Sequence, residues 1–212
     1  MFFKLLTVIL ILSPISSAQA AMTPVDEMPA GTYTLDKAHA SLTWKVSHLG
    51  LSNYTARFTS FDATLDFNPT DPEKSKLNVT VDPTSLETDY PFADKKDFDK
   101  VLIDEQQWFN TRNFPKITFE SITIERTGDN TGKVTGDLTF LGVTKPLTLD
   151  VVFNGSMAKQ PFSKQPVLGF SATTTMKRSD WGMTTYVPTI GDEVELLIEV
   201  EFGMDSEEEI AE

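Results

Sequence analysis

Apolar and polar residues alternate one for one over much of this chain. From Glu193 to Phe202, one face carries Val194, Leu196, Ile198, Val200 and Phe202. The other carries Glu193, Glu195, Glu199 and Glu201, with Leu197 the one exception. A period of two marks a strand with one face buried and one in water. Val134, Gly136, Leu138 and Phe140 repeat it, as do Leu147, Leu149, Val151 and Phe153. Leu141 to Pro146, between them, reads as a hairpin turn. Leu42, Trp44 and Val46, then Leu77, Val79 and Val81, and Leu168, Phe170, Ala172 and Met176 follow the same rule. Two segments change phase, from Phe58 to Phe61 through Phe67 and from Ile117 and Phe119 to Ile122 and Ile124. A phase change inside a strand predicts a bulge or bend, the device by which a sheet curls.

Helical spacing is scarce. Phe98, Val101 and Leu102 fall at i, i+3 and i+4 behind Asp94, a candidate N-cap. The stretch 89–113 therefore reads as loop with one or two short helices, and 48–53 as a further helical turn. About eight strands remain. With so few helices to cover it, the sheet must close into a barrel or pack on a second sheet. A barrel of eight strands can hold one small ligand, whereas a sandwich is filled by side chains. The inward positions are rich in aromatics, which suit either a packed core or the wall of a tunnel for acyl or isoprenoid chains.

Composition narrows the chemistry. The 212 residues carry 18 Lys and Arg against 31 Asp and Glu, a net charge of -13. That excess argues against nucleic acid as a partner and against an electrostatic membrane anchor. Without Cys there is no disulfide, thiolate nucleophile or iron–sulfur site, and the two His, His39 and His48, exclude a multi-His metal centre. No cofactor or metal is expected. At the N-terminus, Lys4, the apolar run Leu5–Leu12 and the Ala18-Gln19-Ala20 pattern read as a signal peptide, residues 1–20, cut before Ala21. The run is shorter than the about 20 apolar residues that span a bilayer, so no stable anchor is expected after cleavage. Residues 21–204 then form one domain, and 205–212, with five acidic residues, a solvated tail.

Catalytic signatures are thin. Asp36, His39 and Ser41 supply the letters of a triad, but triads are defined by geometry, and these sit together at a strand start. Asp66, Asp71 and Glu73 lack the spacing of a calcium loop and read as a solvated acidic turn.

The ordered motifs resemble the YceI-like family of secreted bacterial proteins, from about Tyr33 to Phe202. They are Tyr33-Thr34-Leu35-Asp36 with His39-Ala40-Ser41, and Trp44-Lys45-Val46-Ser47-His48-Leu49-Gly50. Ala56-Arg57-Phe58 with Phe61-Asp62-Ala63, Trp108-Phe109-Asn110 and Phe114-Pro115-Lys116-Ile117-Thr118-Phe119 follow, then Gly136 to Pro146, Arg178 to Met183 and Ile190 to Val194. The resemblance implies an all-β fold, an eight-stranded antiparallel, extended lipocalin-like barrel with one or two short helices. It implies a periplasmic, non-enzymatic binder, often a homodimer, holding an amphipathic polyisoprenoid such as an isoprenoid quinone or isoprenyl phosphate. Transport, storage and stress response all suit such a protein. The family pattern often carries a His before the Trp108-Phe109-Asn110 position, whereas residues 95–107 have none.

On that reading Trp44, Phe58, Phe61, Phe109, Phe119, Phe140, Phe170 and Trp181 are the tail-binding candidates. His39, His48, Asn53 and Arg57, beside the aromatic strands, are the head-group candidates; Arg57 suits a phosphate, and His and Asn a quinone carbonyl. Arg178 and Asp180 are expected to pin a loop rather than bind. The alternatives are an isoprenoid-modifying or hydrolytic enzyme using His39 or His48, and a structural or interaction barrel with a filled interior.

Overall fold

A computed structural model describes residues 22–204; the expected signal peptide and acidic tail lie outside the described residues. The strands are β1 (Gly31–Leu35), β2 (Ser41–His48), β3 (Ser52–Phe58), β4 (Phe61–Phe67), β5 (Lys76–Val81) and β6 (Leu86–Glu87). Helix α1 (Phe98–Asp104) follows, then β7 (Ile117–Arg126), β8 (Thr131–Phe140), β9 (Val143–Met157), β10 (Val167–Lys177) and β11 (Ile190–Gly203). The ring order is β1-β4-β5-β7-β8-β9-β10-β11, closed by β11 pairing back to β1, all antiparallel. This is the closed eight-stranded barrel that the resemblance implied, where the alternation alone left barrel and sandwich open.

Eleven segments make eight strands because three strands are broken. β11 takes β2 along Ile190–Glu199 and β1 at Phe202 and Gly203, so β1 and β2 lie end to end on one edge of it. β3 and β4 likewise pair with β2 and β1, and β6 and β5 with β3 and β4. The breaks have local causes. Asp36 caps a 3-10 turn over Lys37–His39 by accepting from Ala38 N at 2.9 Å. Asp82 caps Pro83–Ser85 by accepting from Thr84 N at 2.8 Å. Capping by a short acidic side chain competes with the sheet ladder. Two breaks also satisfy each other, since Thr59 N donates to Ser85 O and Asp82 N to Ser60 O.

The phase change expected after Phe119 is a bulge between Ser121 and Thr123. Ile122 is the extra residue and faces solvent, while Ile124 turns inward, so only one of that expected pair is a core position. The β8–β9 turn is tighter than Leu141–Pro146. Only Leu141 and Gly142 form it, with φ of 50° and 74°, and Val143 already pairs with Phe140. Two left-handed residues in a row match the right-handed strand twist. The expected helical turn at 48–53 is instead the tip of the β2–β3 hairpin, where His48 pairs with Ser52. Helix α1 is capped by Asp97, not Asp94: its carboxylate accepts from Lys100 N at 2.9 Å.

One end of the barrel is covered. β6 and β7 are not paired, and the chain between them carries α1 and folds back on it, with Phe109 N donating to Leu102 O and Thr111 N to Ile103 O. Leu102 is buried, and Phe109 packs its ring on Phe58 and Phe140 at centroid distances of 5.5 and 5.8 Å. A second cover, the stretch from β10 to β11, is held by Arg178, only 3% exposed. Its guanidinium donates to the carbonyls of Gly191 (2.8 Å), Met183 (3.1 Å), Thr185 (2.9 Å) and Ile190 (3.0 Å). The loop is pinned as expected, but by backbone carbonyls. Asp180 faces Lys145 at 3.9 Å, and Asp192 accepts from Ser179 N and Oγ.

Replacing Arg178 by Lys would remove the planar fork and leave at least two buried carbonyls without donors. Each costs about 1–3 kcal/mol. Arg178→Lys should therefore lower the unfolding free energy by about 3 kcal/mol or more, measured by urea titration. A loss within the scatter of surface substitutions, about 0.5 kcal/mol, would contradict this role.

Candidate functional site

The inward side chains do not fill the barrel. Two cavities lie along its axis, of about 210 and 190 Å³. Leu42, Val79, Leu149 and Ile198 line both, so the lobes meet at a waist of four aliphatic side chains. The waist comes from strands β2, β5, β9 and β11, spread around the ring, so the constriction is a property of the whole barrel. Each lobe is below the roughly 300–1,000 Å³ of a small-molecule pocket; joined, they fall within that range.

The lobe under the covered end is walled by Trp44, Phe58, Phe119, Phe140, Leu147 and Met176 on the strands, with Trp108, Phe109 and Met183 above. The other lobe is walled by Phe61, Phe67, Phe153, Phe170 and Phe202. There the Phe170 ring packs tilted on Phe153 at 5.4 Å and edge-to-face on Phe202 at 6.1 Å. This lobe reaches solvent at the β7–β8 turn, where its rim includes the exposed Glu125, Arg126, Asp129, Asn130 and Thr131. Phe153 N donates to Asn130 O at 2.8 Å and fixes that turn against β9.

Seven of the eight tail candidates line a lobe: Phe61 and Phe170 the open one, and Trp44, Phe58, Phe109, Phe119 and Phe140 the covered one. Trp181 lines neither. It is 4% exposed and donates from Nε1 to Leu138 O at 3.1 Å, outside the cavity wall. The structure does not bring the four head-group candidates together at a mouth, and none of them lines a lobe. Asn53 and Arg57 fall on the outward phase of β3, opposite to Ala56 and Phe58. Arg57 is held there by Glu87, to which Nε donates at 3.0 Å and Nη2 at 2.5 Å. His48 ends β2 at the exposed hairpin. His39 lies on the outer wall, its Nδ1 2.8 Å from Asp36 Oδ2.

The rim residues Arg126 and Asn130 escaped the sequence reading because they sit on a turn with no alternation to mark them. The Arg126 guanidinium has one long contact, to Asp129 O at 3.4 Å, and no ion pair among the described residues. Trp44 Nε1 is the one buried side-chain nitrogen or oxygen among the described residues without a hydrogen-bond partner. A donor left in that state costs about 1–3 kcal/mol.

Catalytic and metal chemistry find little footing. Asp36 and His39 are hydrogen-bonded, but Ser41 completes no triad with them among the described contacts. Asp36, His39 and Glu201 have donor atoms within 4.8 Å of one another, the one such group among the described residues that could hold a metal ion. It lies on the outer wall, across the line where β1 meets β11, remote in chemistry from the apolar lobes. The acidic turn residues are engaged separately: Asp66 accepts from Thr32, Asp71 pairs with Lys74, and Glu73 accepts from Arg126 N.

The fold and motifs have counterparts among known proteins. The family model for the YceI-like domain matches residues 33–202. The chain belongs to the YceI-like family. A UPF0312 protein of Pseudomonas putida is 36% identical over 165 residues, which cover 77% of this chain and 82% of that one. The crystal structure of the Campylobacter jejuni YceI protein is 31% identical, with a TM-score of 0.64 over 76% of this chain and 91% of that one. A Saccharophagus degradans domain described as polyisoprenoid-binding shares the fold at 14% identity, with a TM-score of 0.55 over 84% of this chain and 100% of that one.

The Asp36–His39 pair yields a signed prediction. The hydrogen bond to Asp36, then the charges of Asp36 and Glu201, raise the His39 pKa above its ordinary value of about 6.5. The same bond, against some opposing desolvation, lowers that of Asp36. The raised His contributes stability below the unfolded His pKa, lost as pH rises through the folded value; the depressed Asp contributes above its unfolded pKa, lost as pH falls. An NMR titration should place His39 above about 6.5. In Asp36→Asn it should fall back toward that value, and an unchanged His39 pKa in the variant would contradict the pairing.

Proposed function

We propose that this protein holds one amphipathic polyisoprenoid, an isoprenoid quinone or isoprenyl phosphate, with its tail running through both lobes, and carries or stores it in the periplasm. The observation that carries the reading is the two-lobed apolar cavity along the barrel axis. Its contents are not supplied by the chain's own side chains, although the wall is aromatic on nearly every strand. The family membership and the polyisoprenoid-binding description of the Saccharophagus degradans domain support the ligand class. The leader pattern supports export, and the absence of a carboxylate or His from the covered lobe supports binding over turnover.

Magnitudes favour use of both lobes. Burying a five-carbon unit gives about 4 kcal/mol, at about 0.8 kcal/mol per carbon. Association costs about 4–15 kcal/mol before any affinity appears. One unit does not repay that, whereas several do, and several need both lobes. The head group then sits at the open rim, where Arg126 and Asn130 can donate to a phosphate or a quinone carbonyl. His39, His48, Asn53 and Arg57 have no part in this arrangement. The unpartnered Trp44 Nε1 favours a second orientation, with the head group in the covered lobe and its acceptor on the indole N–H.

Leu149→Phe, which fills the waist, should weaken binding of a long isoprenoid at least about tenfold, the effect of 1.4 kcal/mol. A short isoprenoid that fits one lobe should keep its affinity. Titration followed by tryptophan fluorescence reads both. Equal losses for long and short ligands, or none for either, would sink the through-waist arrangement. Arg126→Gln should weaken an isoprenyl phosphate but not the corresponding hydrocarbon; the same selective loss in Trp44→Phe instead would establish the inverted orientation.

A further inference from the structure

We propose that the β9–β10 loop, residues 158–166, is a docking tip that seats the protein transiently on an anionic phospholipid surface with its open lobe facing the bilayer. The inference rests on the carrier reading for its purpose, but its observations are separate. β9 and β10 pair out to Met157 and Val167, beyond the point where β8 stops at Thr131 opposite Val152. The loop therefore projects past the rim formed by the β7–β8 turn, at the end where the open lobe meets solvent. At its tip Phe162 is 90% exposed, the most exposed large apolar side chain among the described residues.

The tip is prefolded. Gln160 Oε1 accepts from Phe162 N at 2.6 Å and Ser163 N at 2.7 Å. Gln160 N donates to Gln165 O, and Lys164 N to Gln160 O, each at 2.9 Å. The backbone that presents the phenyl ring is thus closed by a set of hydrogen bonds. A side chain presented in this way needs little further ordering to enter an apolar phase.

Charge identifies the partner. In a chain of net charge -13, residues 157–166 carry Lys159 and Lys164 and no acidic residue. Neither Lys is in an ion pair among the described residues, and the Lys164 ammonium donates to Pro161 O. An exposed aromatic flanked by cations matches the boundary between acyl chains and anionic head groups. Screening confines this attraction to about 8 Å at physiological salt, so the acidic body is repelled only when it too comes close. One ring and two cations fall short of a stable anchor, which suits a carrier that must leave again.

The test uses the mature chain and vesicles of phosphatidylethanolamine with phosphatidylglycerol, beside vesicles of phosphatidylcholine alone. Phe162→Ala should lower the partition coefficient on the anionic vesicles by about tenfold or more. Lys159→Gln with Lys164→Gln should lower it on those vesicles only. Transfer of an isoprenoid from vesicle to protein should slow in step, while uptake from detergent micelles stays unchanged. Partition indifferent to Phe162 would overturn the proposal. So would loss of self-association in Phe162→Ala with partition intact, which would make the tip a contact between copies. Partition dependent on Phe162 in a protein that takes up no isoprenoid from micelles would uphold the docking tip and overturn the carrier reading.

Discussion

Strand β11 holds the barrel shut. One edge pairs with β10 along nearly its whole length, and the other takes β2 and then β1. Closure through β1 removes the sheet edges that would otherwise invite pairing with another chain, except where β6 is left unpaired with β7. It also turns Val194, Leu196, Ile198, Val200 and Phe202 toward the cavity. Fourteen residues at about 3.3 Å each make a strand roughly 45 Å long. An eight-stranded barrel can be filled by side chains or hold one small ligand, and here the inward side chains leave two lobes along the axis. The β1 contact is the shortest part of the closure, two residue pairs, and the Asp36–His39 pair stands beside it.

The two ends differ for a chemical reason. At the covered end, hydrogen bonds within the loops hold apolar side chains over the cavity: Arg178 gathers four carbonyls, and the backbone around Leu102 turns Phe109 inward. At the other end the turns are short or polar, and the lobe meets water among Arg126, Asp129 and Asn130. An amphipathic ligand with its tail inside and its head at the rim matches that asymmetry. The projecting Phe162 tip lies on the same side, so on the proposed reading entry of the ligand and contact with a lipid surface would be one event.

Much of this was legible in the sequence because a half-buried strand writes its burial directly as a period of two. The inward residues of β8 to β11 were named correctly from alternation alone, and the bulge in β7 from a change of phase. The breaks between β1 and β2 and between β5 and β6 were not, because capping by Asp36 and Asp82 leaves the alternation on either side intact. The α1 cap was misplaced to Asp94 because Asp94 and Asp97 offer the same chemistry, and only the Lys100 N contact separates them. Six of the tail candidates follow from strand phase and all six line the cavity; of the two in loops or short helices, Phe109 lines it and Trp181 does not. The head-group candidates were chosen by chemical type and nearness in sequence, and Asn53 and Arg57 sit on the outward phase of the strand that carries Phe58. Arg126 had no pattern to reveal it, since a turn residue acquires its position only when the barrel closes.

The central claim is that the cavity is occupied by a lipid the chain itself does not provide. Native mass spectrometry of the protein recovered from its native host tests this most directly, compared with the same sample after solvent extraction. The account predicts a stoichiometric adduct that disappears on extraction and is found in the extract as an isoprenoid. A native mass equal to that of the polypeptide, with no isoprenoid in the extract, would contradict it.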